Sequence, residues 1–111
     1  MLTSKKIKMN FINIPNIGGI RLVQPENIIR IEASSNYSKI YFSNAKPMTV
    51  AKVLHWFEDQ LPPEMFARIH RSHLVNRLFM QEINGSKNNM LLLNNGESIT
   101  ISRRKKAVLA A

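Results

Sequence analysis

Apolar residues along this chain alternate with polar ones over short runs that proline, glycine and asparagine interrupt at close intervals. "IKMNFINI" ends at "PNIGG", "IRLV" at "QPEN", "IIRIEA" at "SSNYS" and "KIYF" at "SNAKP". Short runs rich in β-branched side chains and closed by turn formers predict consecutive strands and hairpins. "MLLL", "NNGE" and "SITI" repeat the pattern near the C-terminus, where Asn95-Gly96 suits the positive φ angles of a tight hairpin turn. One segment has a different period. Val50, Val53, Leu54, Phe57 and Leu61 recur at i, i+3, i+4, i+7 and i+11, which predicts an amphipathic helix of about three turns covering one sheet. Thr49 is its expected N-cap and Pro62-Pro63 its stop, with Trp56 partly buried beside the apolar stripe. A second, shorter helix is expected after Ser102, through "RRKKAVLAA".

At 111 residues, 44 % of them hydrophobic and spread along the chain, the sequence suits one domain with a core of its own. It has no cysteine, which removes disulfides, thiolate metal sites and cysteine nucleophiles. No apolar run approaches the roughly 20 residues of a membrane helix, and "MLTSKKIKMNF" lacks a signal-peptide core, so a cytoplasmic location and no membrane partner are expected. Charge changes the picture more. Sixteen Lys and Arg against seven Asp and Glu give +9, and the cations cluster at "KKIK", "RIHRSHLVNR" and "RRKK". A polyanion is the first partner that such a balance implies.

The stretch "RIHRSHLVNR", Arg68 to Arg77, combines cations, histidines and branched aliphatics. His70 and His73 have a spacing that can serve a metal, but zinc needs three or four ligands, the remaining histidine is His55, and three arginines would repel a cation. Ser72 between the histidines lacks the local context of a nucleophile, and the acids do not pair in a catalytic pattern, so neither enzyme activity nor a cofactor is expected. "IGGI" matches no phosphate-cradling loop and reads as a hairpin turn. If Ser102 caps a helix, "RRKK" places cations in a first turn where the helix dipole disfavours them, unless an anion such as a phosphate binds there. "ASSNYSK" is either a plain hairpin loop or a contact surface whose Asn36 and Ser38 offer donors and acceptors, with Tyr37 and Lys39 able to reach phosphates.

Taken in order, "IIRIEASSNYSKIYF", the helix, "PPEMFARIHRSHLVN" and "INGSKNNMLLLNNGESITISRRKK" resemble the LytTR family of bacterial DNA-binding domains. "FARIHRSHLVN", close to the family's F-x-R-x-H-R-S-x-x-V-N block, carries most of the likeness, which covers about residues 20 to 107. The resemblance implies a mainly β fold, an elongated stack of small antiparallel sheets with one amphipathic helix and a short C-terminal helix. Residues 1–19 would form an N-terminal extension with the first strand or strands, and residues 20–111 the DNA-binding domain.

It further implies a sequence-specific transcriptional regulator that inserts loops into successive major grooves of double-stranded DNA, on a direct-repeat-like operator. A homodimer on DNA and a contact with RNA polymerase fit the same picture. Family members are commonly joined to a receiver domain, and only about 20 residues precede the match here. The contact set expected on this basis is Asn36, Tyr37, Ser38, Lys39, His70, Arg71, Arg77, Arg103, Arg104, Lys105 and Lys106. Arg71 and Arg104 are assigned to base readout, with His70, Asn36 and Ser38 behind them. Lys39, Arg77, Arg103, Lys105 and Lys106 are assigned to phosphates. Ile69, Leu74 and Val75 are expected in the core, Asn76 as a backbone tie and Ser72 as a turn cap. The alternative is an RNA or single-strand-binding β module, which would want aromatics exposed on a sheet for stacking; Tyr37 and Tyr41 are the candidates. A protein-binding domain whose charge serves solubility is a third reading.

Overall fold

A computed structural model describes residues 10–84 and 89–103. Its strands are β1 (Ile12–Asn16), β2 (Gly19–Val23), β3 (Ile28–Ser34), β4 (Tyr37–Phe42), β5 (Met48–Val50), β6 (Phe66–His70), β7 (His73–Asn76), β8 (Met80–Asn84), β9 (Met90–Leu93) and β10 (Ser98–Thr100), and α1 (Leu54–Gln60) joins β5 to β6. They form a two-stranded sheet β1-β2, a five-stranded sheet β5-β4-β3-β7-β6 and a three-stranded sheet β10-β9-β8. All pairings are antiparallel. The fold is therefore mainly β and built from small sheets, as expected.

The five-stranded sheet is the middle layer. On one face Ile31, Ile40 and Leu74 pack with Ile12, Ile14 and Val23 of the first hairpin and with Leu54, Phe57 and Leu61 around α1. On the other, Ile29, Ala67, Ile69 and Val75 pack with Leu91, Leu93, Ile99 and Ile101. Neighbours such as Leu74 and Val75 thus enter different cores, because successive strand side chains point to opposite faces. A strand buried on both sides can be apolar without strict alternation, which explains "IIRI" in β3. The irregularity between Ile28 and Arg30 breaks that alternation, so Ile29 and Arg30 both face the third sheet. Each fully buried Leu, Ile or Phe contributes about 1.5–3 kcal/mol relative to exposure.

Turn chemistry follows the sequence closely. Gly18 at φ 85° closes β1-β2 and Gly96 at φ 91° closes β9-β10, positions where a side chain would be strained. The first hairpin pairs residues on both sides of the 19/20 boundary, and Ile12 and Ile14 are buried in the same core as the central sheet. The helix differs from expectation. It starts at Leu54 with Val53 at the cap position and no side-chain cap, and it spans seven residues, two turns instead of three. Thr49 and Val50 belong to β5, where Thr49 pairs with Lys39 and Val50 with Ser38. Packing of Leu54 and Phe57 into the core holds α1 in place of a cap. Trp56 is partly buried and meets Phe57 edge-on at 4.9 Å. The helix expected after Ser102 lies outside the described residues except for Arg103.

Asn76 is fully buried. Its Nδ2 donates to the Ile28 carbonyl at 2.9 Å and its Oδ1 accepts the Leu78 N–H at 2.9 Å, tying β7 to β3 and to the turn that follows. Asn76→Ala strands both groups and is expected to destabilise the protein by about 1–2 kcal/mol. A shift of the urea midpoint at unchanged slope is the measurement, and a midpoint equal to wild type would remove Asn76 from this role.

Candidate nucleic-acid interface

Two hairpin turns lie side by side at one end of the five-stranded sheet. The first joins β3 to β4 through Ser35 and Asn36 between the paired Ser34 and Tyr37, with Ser35 at φ 57°. The second joins β6 to β7 through Arg71 and Ser72 between the paired His70 and His73. Because β3 neighbours β7, the turns meet, and the Ala33 N–H donates to the Ser72 carbonyl at 2.9 Å. A third segment joins them after β10, where the Ser102 N–H donates to the Ile69 carbonyl at 2.8 Å and brings Arg103 beside the second turn. Asn36, Tyr37, Lys39, Arg71 and Arg103 are exposed and His70 is partly so. Neither Ala33–Lys39 nor Ile69–Arg77 contains an acid, so the two turns present only neutral and cationic side chains.

The histidines differ in kind. His70 Nδ1 accepts the Ser72 backbone N–H at 3.1 Å, which assigns the proton of the neutral ring to Nε2 and leaves that N–H to donate outward. Its ring lies 5.3 Å from that of His73. Burial pushes the His73 pKa below its ordinary 6.5, Glu32 opposing and His70 and Arg30 reinforcing the shift. His73 Nδ1 is buried without a hydrogen-bond partner among the described atoms. The unfolded chain takes up a proton below pH 6.5 that the folded chain resists, so this contribution to stability is complete above pH 6.5 and declines as the pH falls through it. His73→Leu is expected to abolish that share of the acid sensitivity, so on acidification the urea midpoint of wild type should fall further than that of the variant. Parallel curves for the two would contradict it. Among the described residues no three or more His, Cys, Asp and Glu are arranged to hold a metal.

Several expected contact residues lie elsewhere. Ser38 is fully buried and its hydroxyl donates to the Lys52 carbonyl at 2.6 Å, because β5 and its extension cover it. It has no surface to offer a base, so its role is to hold β4 against β5. Arg77 follows the far end of β7, about 13 Å from His73 at roughly 3.3 Å per residue, with its N–H bonded to the Met65 carbonyl at 2.7 Å. Six positions separate Arg71 and Arg77 in sequence, but the strand between them carries Arg77 away from the turns. Arg104, Lys105 and Lys106 lie outside the described residues.

Two cations acquire roles that the sequence did not suggest. Lys52 follows Val50, the partner of Ser38, and so comes level with Asn36 and Tyr37 beside the first turn, its ammonium 5.4 Å from the Trp56 ring centroid. Its inclusion in the predicted helix hid this placement. Arg30 is buried, with Nε and Nη2 on the two oxygens of Glu97 at 3.0 and 2.9 Å, Nη1 on Glu32 at 2.7 Å, and its guanidinium carbon 3.9 Å from the Tyr41 ring centroid. Burial works against its charge, but the Glu97 and Glu32 bonds outweigh that and raise its pKa, so Arg30 is a structural cation.

A basic end of a sheet made of adjoining turns is compatible with several anion-binding folds. The family model for the LytTr DNA-binding domain matches residues 18–111 of the sequence. The chain belongs to the LytTR DNA-binding domain family. Relatives of this LytTR chain include the sensory transduction protein LytT of Enterococcus faecalis, 33 % identical over 98 residues that are 86 % of this chain and 40 % of that protein. The transcriptional regulatory protein LytR of Staphylococcus aureus is 31 % identical over 86 residues, 76 % of this chain and 35 % of that protein. The chain thus spans well under half the length of these relatives. The same fold occurs in the LytTr DNA-binding domain of a methyl-accepting/DNA response regulator from Bacillus cereus, with a TM-score of 0.74 over 89 % of this chain and 92 % of that one at 23 % identity. No helix among the described residues is long and apolar enough to cross a membrane.

Proposed function

We propose that this LytTR domain binds double-stranded DNA sequence-specifically as the DNA-reading part of a transcriptional regulator in the cytoplasm, with its turns entering successive major grooves. The observation that carries the reading is the meeting, at one end of the sheet, of the Arg103 segment and two turns that themselves contain no acid. Arg71 reads base edges, where its fork can pair bidentately with guanine, and Asn36 and the Nε2–H of His70 add single polar contacts. Lys39, Lys52, Tyr37 and Arg103 meet phosphates; on the strength of the family motif, Lys105 and Lys106 continue that set and Arg104 joins Arg71 in base readout. Ser38 and Arg77 are omitted because of their burial and their distance from the turns.

Relatives named as a sensory transduction protein and a transcriptional regulatory protein support a regulatory setting of the two-component kind, in which a partner domain receives the signal. A direct-repeat-like operator, a homodimer on DNA and a contact with RNA polymerase belong to the same proposal. Single-stranded nucleic acid is a weaker fit, because the Tyr41 ring is occupied by Arg30 and leaves half-exposed Tyr37 to stack beside the turns. Selection of duplexes from a random pool on the purified chain, followed by competition, tests the reading. The selected duplex is expected to outcompete both a scrambled duplex and its own single strands at physiological salt. Equal competition by all three would overturn sequence-specific duplex recognition.

A further inference from the structure

Arg68 lies on β6 just before the second turn, and its guanidinium turns inward. Nε donates to the His70 carbonyl at 3.0 Å, Nη2 to the Arg71 carbonyl at 2.6 Å and Nη1 to Glu58 Oε1 at 2.5 Å. The β6-β7 pairing is irregular between Arg68 and His70, so regular ladder bonds do not by themselves dictate how the turn sits. Glu58 belongs to α1, which Leu54 and Phe57 lock into the core. A continuous chain of contacts therefore runs from the core through α1 and Glu58 to the backbone on either side of the Cα of Arg71. The planar fork of arginine gives such bonds a fixed geometry, which a flexible lysine does not reproduce. Glu58 also neutralises the Arg68 charge, and all three described bonds go to groups of the protein itself.

We propose that Arg68, held by Glu58, is a positioning residue that presents Arg71 and His70 to the DNA groove, and that this clamp governs discrimination between sequences more than overall affinity. The inference rests on the DNA-binding reading, and its test separates the two. Opposite charge changes make it sharp. Glu58→Gln removes an acid, so a purely electrostatic role would tighten binding to every duplex equally. Loss of the clamp instead lowers the ratio of selected to scrambled affinity, by about ten-fold where one base contact is weakened.

The experiment compares wild type with Glu58→Gln, Arg68→Lys and Arg68→Ala in the full chain. Backbone amide exchange and shifts at Arg71 and Ser72 are followed by NMR without DNA, and binding to the selected and scrambled duplexes is measured across salt concentrations. Glu58→Gln and Arg68→Lys are expected to speed exchange in the turn, to lower the affinity ratio and to leave the salt slope unchanged while the protein still melts cooperatively. Unchanged turn amides in both variants would overturn the clamp, whatever the DNA result. An Arg68→Ala protein whose salt slope falls by about one unit at an unchanged ratio would make Arg68 an ordinary phosphate contact instead. If wild type prefers no duplex, the role in discrimination fails with the DNA-binding reading, and the amides alone decide whether Arg68 sets the turn.

Discussion

Arg30→Met is expected to lower the unfolding free energy by about 2–3 kcal/mol, the largest loss foreseen for any single cation of this protein. The side chain of Arg30 is 8 % exposed, on the central strand β3, and the bulge beside it aims it at the turn of the third sheet. There it grips both oxygens of Glu97, while Asn95 Nδ2 donates to the same carboxylate at 2.9 Å. Removing the guanidinium leaves Glu97 and Glu32 facing each other without a cation. Breaking a fully buried pair costs about 3–5 kcal/mol, but Glu97 and Glu32 are 36 % and 40 % exposed and can recover water, which places the expectation below that range. Arg30→Lys keeps the charge without the fork and should lose about half as much. The Arg30 bond holds the Glu97 pKa below its ordinary 4.5, so this stabilisation is complete above pH 4.5 and disappears as the pH falls below it. Urea unfolding of Arg30→Met, Glu97→Gln and the double variant measures the coupling directly. Additive effects would show that the third sheet is not pinned through Arg30. Because Arg30 faces the protein, the salt slope of DNA binding is expected to stay at its wild-type value as long as the variant is folded.

What the sequence reveals depends on how local the determining forces are. Gly96 and the glycine after Ile17 sit where the chain needs a left-handed residue, so the first and last hairpins are legible from a few residues. The core share of "RIHRSHLVNR" is legible too, since Ile69, Leu74 and Val75 are all essentially fully buried. Strand β8 is not, because the irregularity between Met80 and Glu82 breaks its alternation and its apolar residues are only partly buried. Val50 fits the helical spacing by coincidence, while its pairing with Ser38 depends on a strand twelve residues away in sequence.

Site residues follow the same division. Exposure of Asn36 and Arg71 follows from short turns, which sequence can place, whereas the burial of Ser38, the remoteness of Arg77 and the arrival of Lys52 depend on which strands become neighbours. Arg68 illustrates the limit best. Within the motif it is an arginine to which the sequence assigns no role, and only its three bonds identify it as support for the turn.

Arg71→Ala is expected to reduce the preference for a selected duplex over a scrambled one by about 10- to 100-fold, the worth of one bidentate arginine-guanine pair at roughly 1–3 kcal/mol. The size of the effect follows from how the residue is held. Arg71 occupies a two-residue turn whose backbone is fixed by the Arg68 bond to its carbonyl and, one residue on, by the bond from Ala33 to Ser72, so its exposed side chain needs little further ordering on binding. Arg71→Lys distinguishes shape from charge. It preserves the cation, so affinity for the scrambled duplex and the salt slope should stay near wild type, while the preference falls almost as far as in Arg71→Ala because a lysine cannot make the paired contact. Lys39→Ala should behave in the opposite way, weakening both duplexes alike and reducing the salt slope by about one unit. Binding isotherms for the three variants at several salt concentrations contain all of these quantities. Full sequence preference in Arg71→Lys would assign Arg71 to the phosphates and move base readout to His70, Asn36 or the Arg103 segment.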